Sequence, residues 1–133
     1  MFFLLSRHEI DDIQWNEVIT SSLMGYCYAE TWYLDIVSPH WKGIVFIQDA
    51  SYQAVMPLPI QTSYGIEYIK QPLFCQQLGV FARPHLKIPY DILFSFLTQH
   101  YTYIADYMFS IHTLQALQGS AIIFTINRFR CIK

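Results

Sequence analysis

The chain has 133 residues, of which 53% are hydrophobic and 17% aromatic, while only 14% are charged and the formal net charge is -2. This length and apolar content predict a single domain spanning residues 1–133 and exclude a disordered chain. The charge balance excludes a nucleic-acid binder, which needs clustered Lys and Arg. Because roughly a quarter of the residues are charged in an average soluble domain, we expect a homo-oligomer or a second domain to cover part of this surface.

The cysteines and the apolar runs bear on location. Cys27, Cys75 and Cys131 are far apart and form no CxxC pair, which favours a reducing compartment. The N-terminal run FFLL is too short for a signal-peptide core, and no run reaches the roughly 18 apolar residues that span a bilayer. The sequence therefore predicts a cytoplasmic protein without a membrane span.

The first predicted elements are a strand at FFLL and two helices. Asp11 and Asp12 provide acidic N-terminal residues for a helix through IQWNEVITSSL. A second helix covers YAETWYLDIVS and ends at Ser38-Pro39. The candidate apolar contacts of the first helix are Ile13, Trp15, Val18 and Ile19. In the second helix, Trp32, Leu34 and Val37 are mixed with Tyr28 and Tyr33.

A change of period from residue 43 predicts strands. GIVFI and YQAVMPLPI form a hairpin around QDAS. The alternating Pro57 and Pro59 predict that the second strand loses regular pairing toward its end or lies at an edge there. After the turn TSYG, IEYIKQP is a third strand and QLGVF a short fourth one.

The remaining elements are a mostly buried helix at YDILFSFLTQHY, a strand at TYIADYMFSI, a helical turn at LQALQ and a last strand at AIIFTINRF. Helices followed by an antiparallel meander, then a helix and two strands, predict an α+β fold. We expect a mainly antiparallel or mixed sheet of about five to seven strands flanked by helices.

Motifs of known chemistry are missing from the sequence. The histidines show no metal-ligand spacing, so we predict no metal site. Cys75 lacks the flanks of a protease nucleophile, and the isolated glycines form no phosphate-binding loop. The five histidines are His8, His40, His85, His100 and His112.

One polar set could line a binding cleft among the aromatic strands: Tyr64, Tyr68, Gln71, Gln76 and Gln77. Adjacent residues of a regular strand face opposite sides. Either one of Gln76 and Gln77 faces the cleft while the other satisfies backbone groups, or a bulge before Gly79 turns both the same way.

Residues 32–81 carry WYLDIVSPHW and then AVMPLPIQTSYGIEYIKQPLFCQQLGVF. This succession resembles the N-terminal half of FemAB-like proteins of the GNAT acyltransferase superfamily. The resemblance implies a GNAT-like (acyl-CoA N-acyltransferase) domain and, in a complete enzyme, N-acyl or aminoacyl transfer to an amine. It also suggests Tyr64, Gln76 and Gln77 as substrate-binding residues.

Similar proteins have two GNAT-like halves, and the second half is expected to bind acyl-CoA. Because the donor-loop pattern (R/Q)xxGx(G/A) is absent from residues 1–133, the resemblance implies a non-donor-binding half that binds no cofactor and needs a C-terminal partner half. Asp35 in the LD segment is a candidate base, with a helix-surface or capping role as the alternative. A different class, a non-enzymatic module that self-associates through an apolar face, also fits the composition.

Overall fold

The structure is a computed structural model that describes residues 1–22, 27–70, 79–84, 86–101, 104–106, 108–109 and 130–131, with backbone alone for Cys27, Ser63, Tyr90 and the last three segments. The helices are α1 Asp12–Ser21, α2 Thr31–Val37 and α3 Tyr90–His100. The strands are β1 Phe2–Ser6, β2 Lys42–Gln48, β3 Ser51–Leu58, β4 Ile60–Ser63, β5 Ile66–Lys70, β6 Phe81–Ala82, β7 Ile104–Asp106, β8 Met108–Phe109 and β9 Arg130–Cys131.

The main sheet has four antiparallel strands in the order β1-β2-β3-β6. The predicted hairpin is confirmed, since β2 and β3 pair around Asp49 and Ala50. These two residues have φ of 55° and 60°, as the two-residue type I′ turn requires. The right-handed twist of this turn matches that of the strands, and it fixes the register of the hairpin.

The strands lie in three sheets, whereas the sequence suggested one. Pro59 separates β3 from β4, and β4-β5-β7 forms a second sheet in which β5 and β7 are parallel. A third sheet contains β8 and β9. Strand β3 remains paired with β2 through Pro57 and Leu58, but among the described residues it pairs with β6 only at Ala54 and Val55. The end of β3 is therefore an edge on that side, as one of the two predicted alternatives has it, because proline cannot donate to a ladder. The α+β class is confirmed.

Helix α1 packs on one face of the main sheet. Trp15, Val18 and Ile19 are fully buried, as predicted, but Ile13 is 72% exposed. Ile13 lies two positions before Trp15, which places it about 200° around the helix from Trp15. The prediction of Ile13 as an apolar contact is therefore wrong.

The second helical segment is shorter than predicted. A 3-10 turn at Cys27–Ala29 precedes α2. Leu34 is fully buried in the core, whereas Trp32 is 53% exposed.

Helix α3 covers the other face of the main sheet, where Phe2 of β1 lies 6.4 Å from Phe96 between ring centroids. Leu93, Phe94 and Leu97 are buried. The sheet is thus sandwiched between α1 and α3.

The later predicted elements are described only in part. Strands β7 and β8 lie within the predicted strand TYIADYMFSI, whereas β9 directly follows the predicted strand AIIFTINRF. The segments LQALQ and AIIFTINRF are outside the described residues. Within the described ranges, no helix is long and apolar enough to cross a membrane.

Candidate functional site

An arginine joins the first turns of the chain to the second helix. Arg7 lies in a 3-10 turn, Arg7–Glu9, directly after β1. Its Nε donates to Asp35 Oδ1 at 2.7 Å and its Nη2 to Asp35 Oδ2 at 3.0 Å. Its Nη1 lies 2.7 Å from Asp12 Oδ1. This bidentate contact with one carboxylate and ion pair with a second neutralise the guanidinium charge in place.

Asp35 is held from a second side by an indole. Trp41 Nε1 donates to Asp35 Oδ1 at 2.8 Å, and the Arg7 guanidinium carbon lies 5.5 Å from the centroid of the Trp41 ring. The hydrogen bond from Arg7 lowers the pKa of Asp35, and the Trp41 bond lowers it further. A carboxylate with a lowered pKa and three donors is a poor proton acceptor at neutral pH. Asp35 thus anchors α2 to Arg7 and Trp41.

A cleft of about 360 Å³, which we call the Glu67 cleft, opens beside this network. Arg7 lines this cleft but already pairs with two aspartates. The other two residues of the lining that carry a full charge are Lys42 and Glu67. Lys42 Nζ lies 2.8 Å from Glu67 Oε1. The lining residues are Ser6, Arg7, Pro39, His40, Trp41, Lys42, Thr62 and Glu67.

The β4–β5 hairpin positions one wall of this cleft. Thr62 pairs with Glu67, and Ile60 with Ile69 two residues along. Since side chains alternate along a strand, these four residues lie on the same face. Ile60 and Ile69 are buried whereas Thr62 and Glu67 are exposed. On this face, the buried pair of Ile60 and Ile69 is therefore followed directly by the exposed pair of Thr62 and Glu67, which forms the polar wall of the cleft.

The hydroxyl of Tyr101 is buried. Tyr101 follows α3 and is 4% exposed, and its hydroxyl makes no hydrogen bond to any of the described residues. Burial, together with a smaller effect of the charge of Glu67, raises the pKa of Tyr101 to about 12. Buried polar atoms nearly always have a partner, so this hydroxyl is an exception within the described part of the chain.

A second cleft, of about 450 Å³, adjoins the first and shares Pro39, His40 and Thr62 with it. We call it the Lys70 cleft. Within the described part of the chain, Lys70 forms no ion pair. The other lining residues are Val37, Ser38, Ile60 and Gln61.

The residues predicted to bind substrate are placed as follows. Tyr64 lies at the tip of the β4–β5 hairpin, is fully exposed and has φ of 53°. Gln76 and Gln77 lie outside the described residues, as does Gln71. Tyr68 is described, and its hydroxyl donates to Gln61 Oε1 at 3.2 Å. The cleft-lining role of Tyr64, Gln76 and Gln77 stays a prediction.

The conformation of Tyr64 is unusual for its residue type. Tyr64 and Gly65, with φ of 53° and 77°, are the two loop residues of a type I′ turn. The first position of this turn favours Asn, Asp or Gly. A bulky residue with positive φ is an outlier, and full exposure leaves this strain uncompensated by packing.

The sequence analysis missed Lys42 and Glu67. One signal was available, because a two-residue loop at Tyr64-Gly65 places Thr62 directly opposite Glu67. The contact between Lys42 and Glu67 joins the two sheets and has no local pattern in the sequence.

Charged side chains line both clefts, those of Lys42 and Glu67 in one and that of Lys70 in the other. Among the residues that the structure describes, no group of three His, Cys, Asp or Glu could hold a metal ion. Comparison of the chain with protein families, with characterised proteins and with solved structures gave no match. The site must therefore be interpreted from its own geometry.

Proposed function

We propose that this chain is the non-donor-binding half of a GNAT/FemAB-like acyltransferase, in which it recognises the amine acceptor. The acyl-CoA donor binds to a C-terminal partner half, and the complete protein is an N-acyltransferase. The dispersed cysteines, which form no CxxC pair, favour the reducing cytoplasm as its location. The resemblance of residues 32–81 and the α+β architecture support this proposal.

The observation that carries the proposal is the placement of Glu67. Its carboxylate pairs with Lys42 at 2.8 Å, but the side chain is 45% exposed and lines an open cleft next to the hydroxyl-bearing Thr62. A protonated amine binds most readily to such an exposed carboxylate. Asp35, the other carboxylate considered from the sequence, is fully occupied by Arg7 and Trp41. The chain thus offers amine recognition without a free base for catalysis in this network.

The experiment is a pair of calorimetric titrations of the purified chain, one with acetyl-CoA and one with a panel of primary amines. We expect no saturable binding of acetyl-CoA. At least one amine should bind, and Glu67→Gln should abolish its binding. Tight binding of acetyl-CoA would make the chain a donor-binding domain. Failure of every amine would remove the acceptor role.

The predicted substrate-binding residues have their own test. Tyr64→Ala should weaken amine binding and leave the free energy of unfolding unchanged, because the side chain is fully exposed. Gln76→Ala and Gln77→Ala should differ from each other if only one amide faces the cleft. Substitution of the amide that satisfies backbone groups should lower the free energy of unfolding, whereas substitution of the other amide should weaken only binding.

A second candidate function, a non-enzymatic self-associating module, is favoured by one surface feature. Trp32 and Ile36 are 53% and 71% exposed and lie four residues apart on α2, so they share one face of the helix. If this face joins two copies, sedimentation should show a concentration-dependent dimer that the double change Trp32→Glu and Ile36→Glu abolishes. A clean monomer at high concentration would exclude this candidate.

A further inference from the structure

The Glu67 cleft contains one available charge of each sign, and the two are adjacent. Arg7 is neutralised by Asp12 and Asp35, and Lys42 pairs with Glu67 at 2.8 Å. The Lys42 side chain is 25% exposed and that of Glu67 45%, so both remain accessible to a ligand. The ion pair stands on the cleft wall and not in the dry interior of the protein.

A ligand with a single charge is poorly matched to this pair. An ammonium ion that binds Glu67 competes with Lys42, and an anion that binds Lys42 competes with Glu67. In either case one protein charge loses its close partner, which offsets the gain from the new contact. A ligand with both charges can pair with both residues and keep the cleft neutral.

We propose that the acceptor bound in the Glu67 cleft is a zwitterion of the α-amino-acid type, with its ammonium on Glu67 and its carboxylate on Lys42. The adjacency of the two side chains requires the charges of the ligand to be equally close, and an α-amino acid has this short separation. This inference rests on the proposed function, because it names the acceptor class of the same site.

The surroundings of the ion pair supply further contacts. Thr62 lies beside Glu67 in the hairpin register and offers a hydroxyl. Trp41 is also among the residues that line the cleft. A volume of about 360 Å³ is within the range of small-molecule sites.

The test uses three matched ligands and no acyl donor. L-alanine has both charges, N-acetyl-L-alanine lacks the ammonium, and L-alanine amide lacks the carboxylate. Their affinities for the full chain are measured by NMR titration, which detects weak binding. We expect L-alanine to bind about fivefold more tightly than either derivative, the effect of one exposed ion pair.

Two substitutions assign each charge of the ligand. Lys42→Ala should remove the preference for L-alanine over L-alanine amide. Glu67→Gln should remove the preference for L-alanine over N-acetyl-L-alanine. Lys87→Ala, which changes an exposed lysine outside both clefts, should change neither preference. Equal binding of all three ligands, or no binding of L-alanine, would overturn the inference.

The same titrations separate this inference from the proposed function. If L-alanine amide binds as tightly as L-alanine and Glu67→Gln abolishes both, the amine-binding function stands and the zwitterion is wrong. If Lys70→Ala, rather than Lys42→Ala, removes the preference over the amide, the carboxylate lies in the Lys70 cleft and the assignment to Lys42 is wrong.

Discussion

The two sides of Trp41 belong to two different regions of the molecule. Toward the sheet, its ring packs edge-on against Trp15, with 5.0 Å between ring centroids, and both residues are fully buried. On its other side, its Nε1 donates to the partly exposed Asp35, and Trp41 is among the residues that line the Glu67 cleft. One region is dry and tightly packed, whereas the other is charged and open.

The difference lies in how each region holds its residues. Trp15 is fixed by packing and by a hydrogen bond of 2.8 Å from its Nε1 to the carbonyl oxygen of Ala29. Glu67 is fixed mainly by an exposed ion pair with Lys42, which contributes little to stability. Substitutions near Trp15 should therefore change folding, and substitutions in the cleft should change binding.

The largest effect is expected at Gly43. A Cβ there would lie 2.5 Å from Trp15 Cζ3 and 2.6 Å from Cη2. Because the indole is held by its hydrogen bond and cannot move aside, Gly43→Ala should lower the free energy of unfolding by about 1–3 kcal/mol. Urea denaturation measures this change.

Gly65→Ala is the matched control for that substitution. No atom lies within 4 Å of a Cβ at Gly65, but its φ is 77°, so only backbone strain of about 1 kcal/mol is expected. If Gly43→Ala lowers the free energy of unfolding no more than Gly65→Ala does, the packing around Trp15 is loose.

Asp35→Asn should have the next largest effect, at the boundary between the two regions. It removes the charge that pairs with Arg7 and should lower the free energy of unfolding by about 1–2 kcal/mol. The effect is limited to this size because the side chain of Asp35 is 42% exposed and its charge is partly screened. Glu17→Gln is the control. Its carboxylate lies 4.0 Å from Arg83 Nη2, a distance at which little stabilisation is expected.

The difference in stability between wild type and Asp35→Asn should depend on pH, because the pKa of Asp35 is lowered in the folded state. The folded state favours the ionised carboxylate, so its stabilisation is complete above about pH 4, where an unfolded aspartate has lost its proton. As the pH falls through the lower pKa of the folded state, this stabilisation is lost. Wild type and Asp35→Asn should then have equal stability. A difference that persists in acid would show that Asp35 acts through shape.

Tyr101→Phe should leave stability unchanged or raise it by up to about 1 kcal/mol, because it removes a buried hydroxyl without a partner. Since burial raises the pKa of Tyr101 to about 12, stability should also fall in wild type between about pH 10 and pH 12, as the unfolded phenol ionises first. A loss above about 1 kcal/mol in Tyr101→Phe at pH 7 would show that the hydroxyl has a partner.

The smallest effect on stability is expected in the cleft. Lys42→Ala should lower the free energy of unfolding by less than about 1 kcal/mol, because an exposed ion pair contributes little. The same change should alter ligand preference. A large loss of stability would remove the distinction between the packed region and the cleft.

The packed region could largely be predicted from the sequence. The acidic N-terminus at Asp11 and Asp12, the apolar residues of α1 and the hairpin of β2 and β3 depend on local signals: capping, period and turn length. The Asp11 side chain accepts from Gln14 N at 3.1 Å, as an N-cap residue does. Ile13 was misassigned because hydrophobicity was counted without its position around the helix.

The cleft could not be predicted, because its residues meet through tertiary contacts. Arg7 and Asp35 are 28 residues apart, and Lys42 and Glu67 are 25 apart. Charged residues carry no periodic signal that specifies their partner. The division of the strands at Pro59 also decides where the second sheet lies. Only the pairing of Thr62 with Glu67 followed from local turn geometry.

The most direct test of amine recognition in the Glu67 cleft is an NMR titration of the purified chain with L-alanine amide, in wild type and in Glu67→Gln. The proposed function predicts saturable shifts of the backbone amide signals of Lys42, Thr62 and Glu67 in wild type, and their loss in Glu67→Gln while the remaining spectrum stays folded. Equal shifts in both proteins, or no saturable shift in wild type, would contradict it.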